Sequence, residues 1–370
     1  MPVRFAHARR NAGRPIQGQS PGYILIATLT MVVVMTLLAS MIALTAERAL
    51  QDQRSADENL QATLDAKSTE ATVMYLLATQ RQTFGGLTVD DQMVMTSDEA
   101  QEQKDFTVPI SNTPVGNEIR LDGTAYQGIG QIHFSLQDDR GRASINWLSA
   151  PALVRLLDSL GVPPEQRAPM LAKLKDYQDP DDLYRLNGAE ADDYRKAKMD
   201  PPSNRTLVSP LELRRVMGWR EALAKYSDTD LLGLISVSRN ALININTAGV
   251  PVLRMIPFMD EPTARRVMAY REQQPFVSIN TFERFTGLPL NDEQELELSM
   301  YPGGTGTLSL WSERLGYVRH IKWSLTPIDD GGGPWSTQYA FVLPLTGNLD
   351  GVGAEKPRAK VFENALPARK

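Results

Sequence analysis

The densest supply of reactive groups in the chain is acidic. Asp176, Asp179, Asp181, Asp182, Glu190, Asp192 and Asp193 fall in one short stretch, with Arg185 the only base among them. Carboxylates gathered this closely offer the oxygens that a hard cation such as calcium requires. Their spacing is not that of an EF-hand, since no run of alternating oxygens closes on glutamate at the twelfth position. A solvated loop with Arg185 paired locally is the plainer reading, and the residues alone leave both open. Other chemistry is thinly provided. Cysteine is absent, which excludes disulfides and thiolate metal sites. The three histidines, His7, His133 and His320, lie far apart in sequence. His133 alternates with Ile132 and Phe134 and so reads as an outward strand residue rather than a ligand. The glycines of Asp329-Asp-Gly-Gly-Gly-Pro334 precede no helix at a phosphate-cradling spacing and read as a hairpin loop. With no nucleophile elbow, metal-ligand spacing or phosphate loop, the chain is not expected to be an enzyme.

Charge narrows the field further. The 370 residues carry 39 basic and 44 acidic side chains, a formal net charge of -5. Nucleic-acid binding needs a concentrated basic face, which this balance does not provide.

The elements that would carry these groups begin with an unusual N-terminus. Arg4, Arg9, Arg10 and Arg14 are followed by a stretch from Pro15 to Ala46 without one charged side chain. Residues 23–46 exceed the roughly 20 apolar residues that span a bilayer core as helix. Basic residues before the span and Glu47 after it place the N-terminus in the cytoplasm and the bulk of the chain across the membrane. The run is too long for a cleaved secretory signal, and its conspicuous small residue, Gly22, precedes it.

Residues 47–86 keep helical spacing, with Leu50, Leu60, Leu64, Ala71, Met74 and Leu77 as the apolar positions and Gly85-Gly86 as the stop. Residues 87–146 turn strand-like at 106–110, 118–121 and 131–136. Residues 147–290 are helical, with helices expected at 150–160, 164–177, 209–217, 221–226, 248–255, 261–273 and 278–285. Strands return over 291–345, at 307–311, 317–325 and 338–345, and the Pro-, Gly- and charge-rich tail 346–370 is expected to be mobile. Helices interrupting a run of strands imply a large all-α insertion in an α+β domain. Within it, Asn246 and Thr247 stand where side chains cap the helix that runs through Leu253.

Two sets of residues carry a family resemblance. The junction Ser20-Pro21-Gly22-Tyr23-Ile24 resembles the type III signal of type IV pilins and pseudopilins. That likeness implies cleavage between Gly22 and Tyr23 by prepilin peptidase, removal of the leader 1–22 and methylation of the new amine. Most such proteins carry glutamate at the fifth mature position, where this chain has Ala27. A carboxylate at that depth is costly unless paired, and its partner in pilin assemblies is taken to be the amine of the subunit ahead. A subunit with nothing ahead needs no such group. The second set lies in the helical block: Asp139-Arg-Gly-Arg-Ala-Ser-Ile-Asn146, Asp176-Tyr-Gln-Asp179-Pro-Asp181, Asn187-Gly-Ala-Glu190 with Tyr194, Asn204-Arg-Thr-Leu207, Leu211-Glu-Leu-Arg-Arg-Val-Met-Gly218, and Ile243-Asn-Ile-Asn-Thr-Ala248 with Val252-Leu253. In this order they resemble the K-type minor pseudopilin of type II secretion, the general secretion pathway protein K family.

The resemblance implies a pilin-like α+β fold with a helix-hairpin-helix or SAM-like insertion. It implies a structural subunit of the inner membrane, single-pass and mostly periplasmic, at the tip of the pseudopilus. Its partners would be the I- and J-type minor pseudopilins, other pseudopilins and the inner-membrane platform. No cofactor is required, but calcium is implied, with Asp176, Asp179, Asp181 and Glu190 as its ligands. Residues 243–285 also resemble the helix-hairpin-helix module of DNA-uptake receptors. There, however, a glycine-rich hairpin meets phosphate, whereas here the turn is Pro257-Phe-Met-Asp-Glu-Pro262, without glycine and with two acids. Arg265, Arg266 and Arg271 read as a solvated helix face, and nucleic acid is not an expected partner.

Overall fold

The computed structural model describes residues 21–89, 112–326, 332–345 and Phe362. The basic leader, the expected strand at 106–110, part of the 329–334 loop and all of the tail but Phe362 lie outside the described residues.

Helix α1 (Pro21–Thr79) begins at the apolar run, and no proline or glycine follows Gly22 within it. The part up to Leu60 forms one unit of the chain and the part from Gln61 belongs to another. In the first unit every side chain described is exposed. Its helix is long and apolar enough to cross a membrane, with a window of mean hydropathy 2.4. The hydroxyls there turn back on the helix: Thr28 donates to the Leu25 carbonyl at 2.9 Å, Thr36 to Val33 at 2.8 Å and Ser40 to Thr36 at 2.8 Å. Each polar group is thereby satisfied without water, as a lipid environment demands.

In the second unit the helix buries Ala66, Thr69, Val73, Met74 and Leu77, one face at helical spacing. Of the expected stripe only Met74 and Leu77 are buried, while Leu50, Leu60, Leu64 and Ala71 are exposed. The helix ends at Thr79, ahead of a small hairpin between β1 (Gln82–Thr83) and β2 (Gly86–Leu87), with Gly85 in its turn and Gly86 opening β2.

A five-stranded sheet packs over this face. Its strands are β3 (Asp122–Gln127), β4 (His133–Asp138), β9 (Thr305–Trp311), β10 (Tyr317–Leu325) and β11 (Trp335–Pro344), in the order β11-β10-β9-β4-β3, each antiparallel to its neighbour. The expected strand at 118–121 is reduced to a single bridge between Leu87 and Ile119, and β3 takes its place in the sheet. Alternate residues of β4, Phe134, Leu136 and Asp138, are buried, as period-two packing on one face requires. Phe134, Leu136, Leu308, Leu310, Ile321 and Trp323 form one core with the helix.

The helical block is an insertion in the strict sense. β4 and β9 are neighbours in register, with Asp138 opposite Gly306, so the chain leaves and re-enters the sheet at adjacent points. Gly306 has to be glycine there, because a Cβ would lie 2.5 Å from the Gln137 carbonyl oxygen and 2.6 Å from the Trp323 ring. A methyl group so placed must displace backbone.

The block has its own core, from Ala143 to Met300, built around Trp219, Tyr177, Tyr194, Phe276 and Phe282. Its helices include α2 (Ala150–Ser159), α3 (Pro164–Gln178), α4 (Ala191–Lys196), α5 (Trp219–Ala222), α6 (Asp228–Leu234), α7 (Val250–Leu253), α8 (Glu261–Gln273), α9 (Ile279–Thr286) and α10 (Asp292–Glu295). Where a continuous helix is expected at 209–217, only a 3-10 turn over Pro210–Arg215 forms, because Pro210 starts it and Gly218, at φ 84°, reverses the chain. The helix expected at 248–255 is likewise a single turn, Val250–Leu253. Two short parallel pairs, β5 (Ala143–Ser144) with β6 (Ile235–Ser236) and β7 (Ile243–Asn244) with β8 (Leu298–Ser299), stitch the block together.

Sheet and block are joined by charge. Asp138 and Asp139 stand at the exit of β4, 0% and 1% exposed. Asp138 accepts from Asn244 Nδ2 at 3.0 Å, Thr247 Oγ1 at 3.1 Å and the Gly303 amide at 2.9 Å. Asp139 meets the ammonium of Lys322 on β10, the Ser238 hydroxyl and Arg142 at 3.4 Å. Burial alone would raise the Asp139 pKa, but Lys322 and Arg142 outweigh it and hold the carboxyl below its ordinary range. Removing the charge from this pair leaves two buried cations without their anion. Asp139→Asn is expected to cost about 3–5 kcal/mol of unfolding free energy, measured by chemical denaturation of the detergent-solubilised full chain against wild type.

Candidate functional site

The acidic stretch forms the C-terminal end of α3 and the loop from Asp179 to Glu190 that leads into α4. The periodicity of α3 ends at Pro180, and the side chain of Asp176 in its last turn points inward, 0% exposed. Arg185 bridges the site. Its Nη1 lies 2.8 Å from Asp176 Oδ1 and also meets Asp179 Oδ2, and its backbone amide donates to Asp176 Oδ2 at 3.3 Å. These bonds hold the guanidinium protonated. Gly188 is pressed against the same carboxylate, since a Cβ would lie 1.8 Å from Asp176 Oδ2.

Glu190 is brought into this group from the far end of the loop. It is 2% exposed, and neither carboxylate oxygen finds a hydrogen-bond partner. Burial, then the charges of Asp176 and Asp179, push its pKa up to about 7. Asp179 Oδ1 and Asn204 Oδ1 are also buried without a partner. Asp181 and Asp182 stay exposed and serve the loop: Asp181 accepts from the Leu183 amide at 2.9 Å, and Asp182 from Asn204 Nδ2 at 3.4 Å. Asp176, Asp179 and Glu190 are thus drawn together, while Asp181 is not. Asn204 is a member that spacing along the chain could not reveal. Hard oxygens of this kind suit calcium. With Arg185 in place, however, no three acidic or histidine side chains among the described residues converge on one point.

Two other expectations are corrected. Asn246 and Thr247 do not cap a helix; the cap of α7 is Gly249, without a side-chain bond. Asn246 instead ties three elements, donating to the Phe276 and Met300 carbonyls at 2.8 and 2.9 Å and accepting from the Phe276 amide at 2.8 Å. Thr247 joins Asp138. Arg271 is not on a solvated face; it is buried, donates to the Ile245 and Ala248 carbonyls and lies 3.6 Å from Asp122. Arg265 and Arg266 stay on the surface, Arg265 against Glu261 at 2.7 Å and Arg266 over the Phe285 ring.

The hairpin before α8 is closed to anions. Asp260 caps the helix by accepting from the Thr263 amide at 2.8 Å, and Glu261 occupies its first turn. A cleft of about 670 Å³ lies between the β1–β2 turn and the C-terminal end of α8, and three of its charged groups, Glu118, Arg120 and Arg271, are already engaged. Arg120 and Arg271 share Asp122, and Glu118 accepts from the Val115 and Gly116 amides and Thr83. His320 is buried with Nδ1 2.9 Å from Ser309 Oγ, and burial with the nearby Arg142 lowers its pKa to about 4, so it stays neutral. His133 is half-buried, stacked on Trp311.

The raised pKa of Glu190 has a definite effect on stability. The folded chain holds this proton up to about pH 7, whereas an unfolded glutamate releases it near 4.5. Stability is therefore lost as pH rises from about 4.5 to about 7. Glu190→Gln keeps the shape without the charge. In cation-free buffer its melting temperature should exceed that of wild type at pH 8, and the gap should close towards pH 5. A gap independent of pH would contradict the burial of an ionisable Glu190.

Comparison with known proteins bears on both halves of the block. Residues 135–226 match the family model described as type II secretion system (T2SS), protein K. Residues 238–297 match that of the helix-hairpin-helix motif. No curated protein matches the chain. Among solved structures, the chain is similar to one in the crystal structure of the GspK-GspI-GspJ complex from the enterotoxigenic Escherichia coli type 2 secretion system. The TM-score is 0.49 and the identity 17%, covering 78% of this chain and 98% of that one. The first family match takes in Asp139 and the whole Asp176–Glu190 loop, so the similarity to protein K falls on the acidic stretch itself.

Proposed function

We propose that the protein is a structural minor pseudopilin that stands at the tip of a type II secretion pseudopilus. The observation that carries this reading is the protein K match over residues 135–226. The apolar part of α1 supplies a single membrane anchor, with the N-terminus on the cytoplasmic side and the folded unit in the periplasm. Prepilin peptidase would cut between Gly22 and Tyr23, remove residues 1–22 and leave an amine for methylation. Ala27 fits the leading position: a subunit with no neighbour ahead gains nothing from a carboxylate buried in the membrane. The role is assembly rather than catalysis. The partners are the I- and J-type minor pseudopilins, then the other pseudopilins and the inner-membrane platform.

Calcium belongs to the same reading. Glu190, Asp179 and Asn204 each present a buried oxygen without a partner, beside the fully buried Asp176. Calcium bound there would supply positive charge to oxygens that the fold leaves unmatched. Asp181 would join only if the loop turned it inward.

A membrane-anchored DNA-binding protein is the rival, and the match at 238–297 speaks for its fold. Asp260 and Glu261 speak against its chemistry, because they stand where a phosphate would have to approach.

Two measurements test the proposal. Tagged full-length chain co-expressed with the I- and J-type subunits should retain both through purification, and recovery of neither would remove the tip assignment. Mass spectrometry should find an N-terminus at Tyr23, and Gly22→Leu should leave the precursor uncut and abolish secretion.

A further inference from the structure

We infer that Arg185 is the chain's built-in substitute for a divalent cation: it neutralises Asp176 and Asp179 while the site is cation-free, and a hard cation binds by displacing its guanidinium. The inference rests on the calcium reading of the same loop and concerns how that binding is controlled.

Position argues for it first. The guanidinium contacts Asp176 and Asp179 together, at the place where the carboxylates face one another. Asp176 is fully buried and Asp179 is 15% exposed, yet the Arg185 side chain is 45% exposed. It reaches in from the solvent side and can leave the same way. A half-exposed side chain at the mouth of such an anionic pair has the placement of an exchangeable counter-ion; a fixed ion pair would be buried with its partners.

Charge argues for it next. One guanidinium carries a single positive charge, and Asp176 and Asp179 already use it. Glu190 is left with both oxygens buried and unpartnered, as are Asp179 Oδ1 and Asn204 Oδ1. A divalent ion brings the second charge and takes more oxygens than a planar donor can serve. The absence of a converging acidic cluster among the described residues follows, because two carboxylates are turned to Arg185.

The loop is built to allow the exchange. Leu183, Tyr184 and Leu186 on either side of Arg185 are 75%, 56% and 88% exposed, so moving Arg185 outward breaks no core packing. Both ends of the loop are fixed. Tyr177 is buried at one end, and at the other Gly188 lies against Asp176, followed by the buried Ala189 and Glu190. Only the segment between needs to move, and Asn187, at φ 63°, already holds the left-handed conformation that ends it.

Removing the competitor should therefore tighten cation binding, the reverse of what removing a structural support would do. Full-length chain in detergent, stripped with chelator, is titrated with calcium chloride by calorimetry, comparing wild type, Arg185→Ala and Arg185→Lys. Arg185→Ala should bind calcium about tenfold more tightly or better, a change of about 1.4 kcal/mol. Arg185→Lys, which keeps the charge without the fork, should fall between. In chelator the alanine variant should melt below wild type, and saturating calcium should erase the difference. If Arg185→Ala failed to fold without calcium, the lysine variant's affinity alone would decide the matter. Wild type binding calcium with the variants equal or weaker overturns the substitute role and leaves the calcium reading intact. No binding by any of the three overturns both.

Discussion

The architecture depends on two adjacent buried carboxylates. Asp138 and Asp139 sit where the chain leaves the sheet for the helical block. They face opposite ways, Asp138 to Asn244, Thr247 and Gly303, Asp139 to Lys322, Arg142 and Ser238. Lys322 belongs to the sheet, Ser238 and Asn244 to the block, and Gly303 to the return segment. An apolar joint could have held the same surfaces at lower desolvation cost. Directional bonds add a fixed geometry, since each partner satisfies a particular oxygen. An insertion of more than a hundred and fifty residues enters and leaves through one pair of neighbouring strands (Asp138 opposite Gly306). A second link reinforces it at the far side of β4, where Arg271 of the block lies 3.6 Å from Asp122 of β3. The Arg142 guanidinium extends the network into the sheet by donating to Thr307 Oγ1 at 2.7 Å.

The segment similar to the helix-hairpin-helix motif is held by the same kind of contact. Its polar residues are spent inside the protein. Arg271, on the helix that follows the hairpin, donates to the Ile245 and Ala248 carbonyls, and Asn246 holds Phe276 and Met300. A buried arginine bonded to backbone cannot also reach a phosphate. Phe258 at the turn takes φ 64° and stands 68% exposed, where the phosphate-binding form of the module has glycine. The geometry of the module is kept, while its cations are used for packing or paired on the surface.

Much of this was legible from local pattern, and the misplaced side chains share one cause. Long periodic elements such as Pro164–Gln178 and Glu261–Gln273, and alternating ones such as Tyr317–Leu325, carry their signal in neighbouring residues. The α+β class and the insertion follow from their order. Asn246 was misread because a short polar side chain before a helix has a sufficient local explanation, while its real partners are 30 and 54 residues away. Arg271 sits on a helix whose other arginines are solvated, and nothing in the spacing marks it as the one turned inward. β3, with the sequence DGTAYQ, is polar and broken by Gly123, so alternation could not reveal it. In the acidic loop the pairing of Arg185 with its neighbours was readable from proximity along the chain. The burial of Glu190 and the arrival of Asn204 were not, because both come from tertiary packing.

Local and tertiary information meet at that loop, and the difference in kind matters. The Asp139–Lys322 contact is closed on every side: both side chains are 1% exposed, and neither can reach water without opening the joint. Asp176 is equally buried, but its cation comes from an exposed loop flanked by exposed leucines. Two buried aspartates in one domain therefore face opposite physical situations. The first is compensated by a group that cannot leave, which fixes the fold. The second is compensated by a group that can, and three further oxygen-bearing side chains close to it remain unsatisfied or only partly satisfied. Single nitrogens such as Arg142 Nε and Arg271 Nε are also buried without a partner, but only in the acidic loop does a carboxylate, Glu190, have both oxygens so placed among the described residues. Those unmatched buried oxygens separate the acidic loop from the many solvated charges elsewhere on the surface.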